Sequence, residues 1–355
     1  MKINHRNYIK LAFNLAQNNL GKTNLNPSVG CVVVKDGSVI SSGVTSKNGR
    51  PHAEFNALIN KKNFVNSDMY VTMEPCTHFG VTPPCTDLII KKKIKRVFYS
   101  FNDVDIRTAK KLRLKLFPQK IKVYQEFDKR FKNFYESYFS IKNDLIPLID
   151  AKIAMSKDFY TINKKSKWIT NYLSRKRAHL IRSQYDAILS TSKSINLDNS
   201  LLNCRLEGFD QNKPDLFIVD LKLKIKRNIK LFKKIKKRKI FIITHKNNSN
   251  KVSFFTNKNI KFIYVKSLKD KEDFIKLFKI MKRYNKSRVL VEAGLIFLNN
   301  LLKNKLIKNL YLFISSYKLG NKGLNNASNN ILKKISLDNP IKVNLNGDKI
   351  YKVKI

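Results

Sequence analysis

The chain has 355 residues, enough for two compact units that each bury a core, and no run approaches the 18 apolar residues of a membrane span. Lys and Arg outnumber Asp and Glu by 72 to 25, a formal charge of +47. Lysine is scattered through every segment alongside abundant Asn, Ile, Phe and Tyr, the pattern of a genome drifting toward A and T codons, so the charge does not by itself call for a nucleic-acid partner.

Tyr8, Leu11, Ala12 and Leu15 fall at helical spacing and predict a helix over 5–19 with one buried face, stopped by Gly21. Val29 to Val34 and Ser38 to Val44 read as strands joined by the hairpin signal Asp36-Gly37. Pro51 precedes His52, Ala53 and Glu54, and Phe55, Leu58 and Ile59 continue at helical spacing, which puts His52 and Glu54 in a first turn. A strand over Met69 to Met73 leads into Glu74-Pro75-Cys76, where a second helix is predicted to begin and to resume after Cys85. Strands at Arg96 to Phe101 and Ile121 to Gln125 flank a helical stretch around Thr108 to Leu116, and the alternation predicts a layered α/β domain. Asp128 to Ile141 reads as a basic, aromatic helix carrying the chain away from this unit, with a boundary near Pro147.

Beyond it, strands are predicted at Leu148 to Met155, Ala187 to Ser190, Phe217 to Asp220, Ile240 to Thr244, Phe262 to Val265, Val289 to Glu292 and Leu310 to Ser315. Helices are predicted at Leu173 to Arg182, Glu272 to Tyr284 and Leu295 to Leu302, and Asn346-Gly347 predicts a terminal hairpin. The run from Lys222 to Lys239 reads as a solvated surface segment.

The four cysteines are too few and too unevenly spaced for a disulfide framework. Two of them complete a metal pattern: His52 and Glu54, then Cys76 and Cys85 in PCTHFGVTPPC. Three protein ligands leave zinc a position for water, whose pKa it lowers to about 7, whereas a structural site closes with four. Glu54 is placed to shuttle the proton to a ring nitrogen and a leaving amine, the role of the glutamate in zinc deaminases. Those acting on nucleosides or nucleic acids commonly have two residues between the cysteines; this chain has eight.

The cluster TNLNPSVGCVVVKDG, PHAE and EPCTHFGVTPPC resembles the bifunctional riboflavin-biosynthesis family of diaminohydroxyphosphoribosylaminopyrimidine deaminase/5-amino-6-(5-phosphoribosylamino)uracil reductases. The second half is similar to that family's reductase at Lys152 to Asp158, at Ser166-Lys167-Trp168-Ile169-Thr170, at Arg182 followed by Asp186 to Leu189, and at Val291-Glu292-Ala293-Gly294. The resemblance implies a cytidine-deaminase-like three-layer α/β domain at 1–145, then a dihydrofolate-reductase-like α/β domain at 146–355. It implies zinc, one ion per chain, on His52, Cys76 and Cys85, with Glu54 catalytic. It also implies NADPH along Ala154, Trp168, Ser194, Asp198, Gly294, Leu295 and Ile296, and substrate at Ser166, Arg182, Leu202, Arg205 and Glu292. Arg182 and Arg205 are the candidates for gripping a phosphate. The expected partner is a phosphorylated pyrimidine, with no nucleic acid and no membrane, in a cytoplasmic homo-oligomer, dimer or tetramer. His78 is expected to touch substrate, and His5, His179 and His245 to be structural or exposed.

Several positions depart from the family pattern: Thr45 stands for a usual His, Val81 for a usual base, and Asp105 for a neutral amide. In the second half Phe159 and Thr191 replace glycines and Leu221 replaces a serine. If the missing bases touch a substrate phosphate, their loss at roughly 1.5–3 kcal/mol each weakens deaminase binding on the order of a hundredfold.

Overall fold

The structure is a computed structural model describing residues 4–60, 62–209, 214–233, 238–253, 255, 259–327 and 330–355. The chain separates into two compact units, Met1–Leu145 and Ile146–Ile355.

The first unit runs α1 (His5–Gln17), β1 (Gly30–Lys35), β2 (Ser38–Val44), α2 (Ala53–Leu58), β3 (Asp68–Met73), α3 (Cys85–Lys91), β4 (Arg96–Phe101), α4 (Leu112–Leu116), β5 (Lys122–Gln125) and α5 (Glu136–Asn143). Asp36 and Gly37 turn the hairpin with φ of 49° and 78°, as a two-residue type I′ turn requires. The sheet order is β2-β1-β3-β4-β5, with β1 antiparallel to both neighbours and the other pairs parallel.

Two glycines explain how the layers meet. The register pairs Gly30 with Val44 and Cys31 with Gly43, so Gly30 and Gly43 face opposite sides of the sheet. A β-carbon on Gly30 would come within 1.9 Å of the Ala12 carbonyl oxygen in α1, and one on Gly43 within 2.3 Å of the Ala53 carbonyl oxygen in α2. The sheet is therefore sandwiched between α1 and α2, and the close approach at Gly43 fixes the helix that carries Glu54.

The second unit contains β6 (Leu148–Met155), β7 (Ile162–Asn163), α6 (Tyr172–Arg182), β8 (Ala187–Thr191), α7 (Ser192–Asp198), β9 (Asp215–Val219), α8 (Lys230–Lys233), β10 (Ile240–Thr244), α9 (Ser249–Val252), β11 (Ile260–Tyr264), α10 (Lys271–Arg283), β12 (Arg288–Val291), α11 (Leu295–Lys303), β13 (Asn309–Ile314), β14 (Gly323–Leu324) and β15 (Lys349–Lys354). Eight strands lie in the order β11-β10-β9-β8-β12-β6-β13-β15, all parallel except the pair β13 and β15, and β7 pairs with β14 separately. Phe241 and Ile243 join one apolar cluster with α10 and α11, while Ile240 and Ile242 join another with Ala178 and Ile181 of α6. A parallel sheet covered on both faces accounts for the nearly continuous apolar strand sequences.

Four local expectations are corrected. No helix begins at Cys76; Glu74 to Pro84 is irregular, since Pro75, Pro83 and Pro84 lack amide donors, and α3 starts at Cys85. The segment 128–141 is not one helix leading away. A 3₁₀ turn at Lys129–Phe131 precedes α5, and Phe131, Phe134, Tyr135 and Tyr138 pack into the first core. Asn346 and Gly347 do turn, with φ of 49° and 88°, and the Ile341 amide donates to the Ile350 carbonyl across the turn, but the strand with which β15 pairs is β13. The 222–239 run is not simply solvated, because Ile225, Ile229, Leu231 and Arg238 are buried; residues 234–237 lie outside the described residues.

Candidate active sites

In the first unit His52 is the N-cap of α2, Cys85 is the first residue of α3, and Cys76 comes from the irregular segment between β3 and α3. His52 Nδ1 lies 3.7 Å from Cys76 Sγ and 3.5 Å from Cys85 Sγ, and the three ligand atoms lie within 4.8 Å of one another. Zn–S bonds of about 2.3 Å and Zn–N bonds of about 2.05 Å at tetrahedral angles put nitrogen and sulfur about 3.6 Å apart, so the donor set fits zinc. The Cys85 amide donates to Cys76 Sγ at 3.2 Å. The Cys85 thiol, the His52 ring and that amide together hold the Cys76 thiol down at about 4, so Cys76 presents a thiolate.

Glu54, in the first turn of α2, is 3% exposed, and burial pushes its carboxyl up to about 7. It lines the same cavity as His52, Cys76, His78 and Arg50. His78 Nδ1 is bonded to Thr108 Oγ1 at 2.9 Å. Glu74 secures the neighbouring loop by accepting from the amides of Asp103, Lys110 and Leu112. Thr45 is 2% exposed and its Oγ1 accepts from the Val29 amide, so it serves the fold.

The second unit holds a cleft of about 880 Å³ at the carboxyl ends of β8 and β12, where ligands gather in open parallel sheets. Its walls include Ala154, Ser166, Trp168, Arg182, Ser194, Asp198, Leu202, Arg205, Glu292, Gly294 and Leu295; Ile296, 55% exposed, is not among them. Leu295 turns its side chain into the core and offers the cleft its backbone at the start of α11. The nine-residue helix α11 presents its N-terminus there, and the Gly294 amide donates to Ser194 Oγ at 3.0 Å. A cleft of this size beside a helix N-terminus fits a dinucleotide.

Parallel register pairs Val291 with Ala151, which brings Glu292 beside Lys152. Arg182 grips Glu292 bidentately, Nε to Oε1 at 2.5 Å and Nη2 to Oε2 at 2.8 Å, while Lys152 Nζ lies 3.4 Å from Oε2. Burial alone would raise the Glu292 carboxyl, but the Arg182 and Lys152 charges hold it at about 2. Arg182 Nη1 donates to the Asn203 carbonyl, so three of its nitrogens are engaged inside the protein and the exposed guanidinium is Arg205. Sequence reasoning assigned no role to Lys152, although a lysine inside an apolar strand was a visible signal. It also set His179 aside. His179 Nδ1 donates to the Asn203 carbonyl at 2.8 Å and Nε2 accepts from Arg205 Nη2 at 3.1 Å, an assignment consistent with a ring kept neutral, at about 4, by burial and the two arginines. His5, by contrast, stacks on Phe98, and His245 bonds the Val265 carbonyl.

The three cofactor-side departures differ in consequence. Phe159 stands at φ 68°, a conformation that favours glycine, with its carbonyl held by Asn325 and Asn330. Thr191 has φ −116° and caps α7 by accepting from the Ser194 amide, so a side chain is accommodated there. Leu221 is packed against the core cluster that includes Phe241.

Comparison with known proteins agrees with this layout. The family model for the cytidine and deoxycytidylate deaminase zinc-binding region matches residues 2–101, and that for the RibD C-terminal domain matches residues 147–340. The riboflavin biosynthesis protein RibD of Aquifex aeolicus is 32% identical over 322 residues, 89% of this chain and 88% of its own. That of Buchnera aphidicola is 31% identical over 331 residues, 88% and 87% of the two chains. A solved Thermotoga maritima structure, described as a diaminohydroxyphosphoribosylaminopyrimidine deaminase/5-amino-6-(5-phosphoribosylamino)uracil reductase, matches with a TM-score of 0.83 and 26% identity over 99% of this chain and 98% of its own. Acinetobacter baumannii RibD shares the fold, with a TM-score of 0.82 and 24% identity over the same shares of the two chains. The chain belongs to the RibD family of bifunctional riboflavin-biosynthesis enzymes, with a zinc-binding deaminase domain followed by a reductase domain that uses a nicotinamide cofactor.

Proposed function

We propose that residues 1–145 hydrolyse the 2-amino group from 2,5-diamino-6-(5-phosphoribosylamino)pyrimidin-4-one, and that residues 146–355 then reduce the ribosyl group with NADPH to give 5-amino-6-(5-phosphoribitylamino)uracil. The observation that carries this reading is the set of three ligand atoms within 4.8 Å, of which His52 and Cys76 line a cavity with the buried Glu54. Zinc, one ion per chain on His52, Cys76 and Cys85, supplies the Lewis acidity that makes water a nucleophile near neutral pH. Glu54 takes a proton onto its carboxyl oxygen and delivers it to the ring nitrogen and the departing amine. Glu54 is buried in the same cavity as His52 and Cys76, where its carboxylate can take up and return a proton.

In the reductase, NADPH supplies hydride. Bound in the cleft, it would deliver that hydride to C1′ as the ribosyl C1′–O4′ bond opens, and O4′, keeping the electron pair, would need a proton. Lys152 Nζ is the proton donor of this scheme, and its pKa is lowered by burial. Glu292 and Arg182 fix Lys152, Trp168 and Gly294 border the cofactor, and Ser166, Leu202 and Arg205 border the substrate. Arg205 is the phosphate ligand on this side, since Arg182 is committed to Glu292 and Asn203. The reading includes a cytoplasmic homo-oligomer that binds no nucleic acid; among the described residues no helix is long and apolar enough to cross a membrane.

The test is incubation of purified protein with the diaminopyrimidine phosphate, with and without NADPH, following ammonia and NADPH oxidation separately. Ammonia should appear without NADPH, and NADPH oxidation should require prior deamination. Glu54→Gln should abolish ammonia release with zinc content intact; normal turnover by that variant would overturn the assignment.

A further inference from the structure

The cavity at the zinc ligands is small, about 100 Å³. It has room for a planar ring, so a ribosyl phosphate attached to that ring must lie at its mouth. Position 45 offers no charge there, and Val81, 85% exposed, offers none either. Arg50, two residues before His52, reaches across to the 80–82 turn. Its Nη1 donates to Thr82 Oγ1 at 2.7 Å, and a β-carbon on Gly80 would stand 3.6 Å from its Nη2. The guanidinium thus stands beside the turn that carries Val81. Among the described residues Arg50 has no carboxylate partner, and Thr82 is the acceptor found for its side chain.

Arg107 lines the same cavity and is oriented differently. Asp105 holds its Nε at 2.9 Å and its Nη2 at 2.6 Å, and the same carboxylate receives Lys142 Nζ at 2.8 Å. One carboxylate between two cations leaves a net positive charge on that side, with a guanidinium preset in orientation. The remaining acids of the cavity mouth are engaged in the loop: Asp103 accepts from Tyr138 and the Asp105 amide, and Glu74 from three backbone amides. Guanidinium is the group suited to paired contacts with phosphate oxygens.

We infer that Arg50 and Arg107 form the phosphate grip of the deaminase, with Arg50 supplying from position 50 the charge that positions 45 and 81 lack. This rests on the deaminase reading above. It makes Arg50 and Arg107 together set the preference for a phosphorylated pyrimidine.

The test compares ammonia release from the phosphorylated substrate and from its dephosphorylated counterpart by wild type, Arg50→Ala, Arg50→Lys and Arg107→Ala, each checked for zinc content. In Arg50→Ala the preference for the phosphorylated substrate should fall about 10- to 100-fold, through KM rather than kcat. Arg50→Lys should keep part of it and Arg107→Ala should lose a similar factor. An unchanged preference in a zinc-loaded Arg50→Ala protein overturns the grip alone. Wild-type protein that releases no ammonia from either compound overturns the deaminase reading, and the grip with it.

Discussion

Glu292 is a carboxylate with 8% exposure between two cations, and its environment predicts how the second unit responds to acid. Its carboxyl is held at about 2 against an ordinary 4.5, so the folded state favours the ionised form. That contribution is fully present above pH 4.5 and is lost as pH falls toward 2, and it amounts to about 3 kcal/mol. Glu292→Gln leaves Arg182 and Lys152 buried without a counter-charge, which typically costs about 3–5 kcal/mol at neutral pH. The difference in urea midpoint between wild type and Glu292→Gln should therefore be widest near pH 6 and narrow as the pH drops below 4.5. A gap that stays constant between pH 6 and 3 would contradict the assignment. This triad was only half legible in the sequence. Glu292 and Arg182 could be named from motifs, but their mutual pairing depends on strand register and on where α6 packs. The convergence of His52, Cys76 and Cys85 was legible, because few residue types bind zinc and their order and spacing are set locally.

At the scale of elements, the strands were readable because β-branched runs in a covered parallel sheet have few alternatives. The segments 74–84 and 128–141 were not, because their partners lie elsewhere in the chain. Phe131 stacks on Phe13 of α1 with ring centroids 4.0 Å apart. Tyr135, 1% exposed, meets Phe13, Phe101 and Phe134, and its hydroxyl bonds Thr72 Oγ1 at 2.6 Å, on the strand leading to Cys76. A basic and aromatic composition suggested a departing helix, whereas the aromatics complete the core beneath β3, the strand that precedes Cys76. Tyr135→Ala should destabilise the first unit by about 3–5 kcal/mol, as removal of a buried aromatic does, and Tyr135→Phe by about 1–2 for the lost hydroxyl bond. Phe117→Ala, at a site 77% exposed, should cost under about 0.5 kcal/mol. Zinc release during thermal unfolding measures all three; a Tyr135→Ala protein as stable as Phe117→Ala would remove this segment from the core.

At the scale of the molecule, the two chemistries use separate sets of residues. The three proposed zinc ligands lie in Met1–Leu145, and every residue of the large cleft lies in Ile146–Ile355. The chain has a single tryptophan, Trp168, and it lines that cleft at 49% exposure with the Arg175 guanidinium 4.6 Å from its ring centroid. Its fluorescence therefore reports the second unit alone. Binding of a nicotinamide ring or an adenine near it should quench that emission and give a titration curve. Because a metal that binds the folded state stabilises it by mass action, stripping zinc with a strong chelator should lower the unfolding temperature of the first unit and stop ammonia release. The same treatment should leave the Trp168 titration with NADPH within about twofold of the zinc-loaded protein, because no cleft residue belongs to the metal centre. Loss of NADPH binding on zinc removal, restored by adding zinc back, would show that the two sites are coupled and that the cleft residues alone do not determine cofactor affinity.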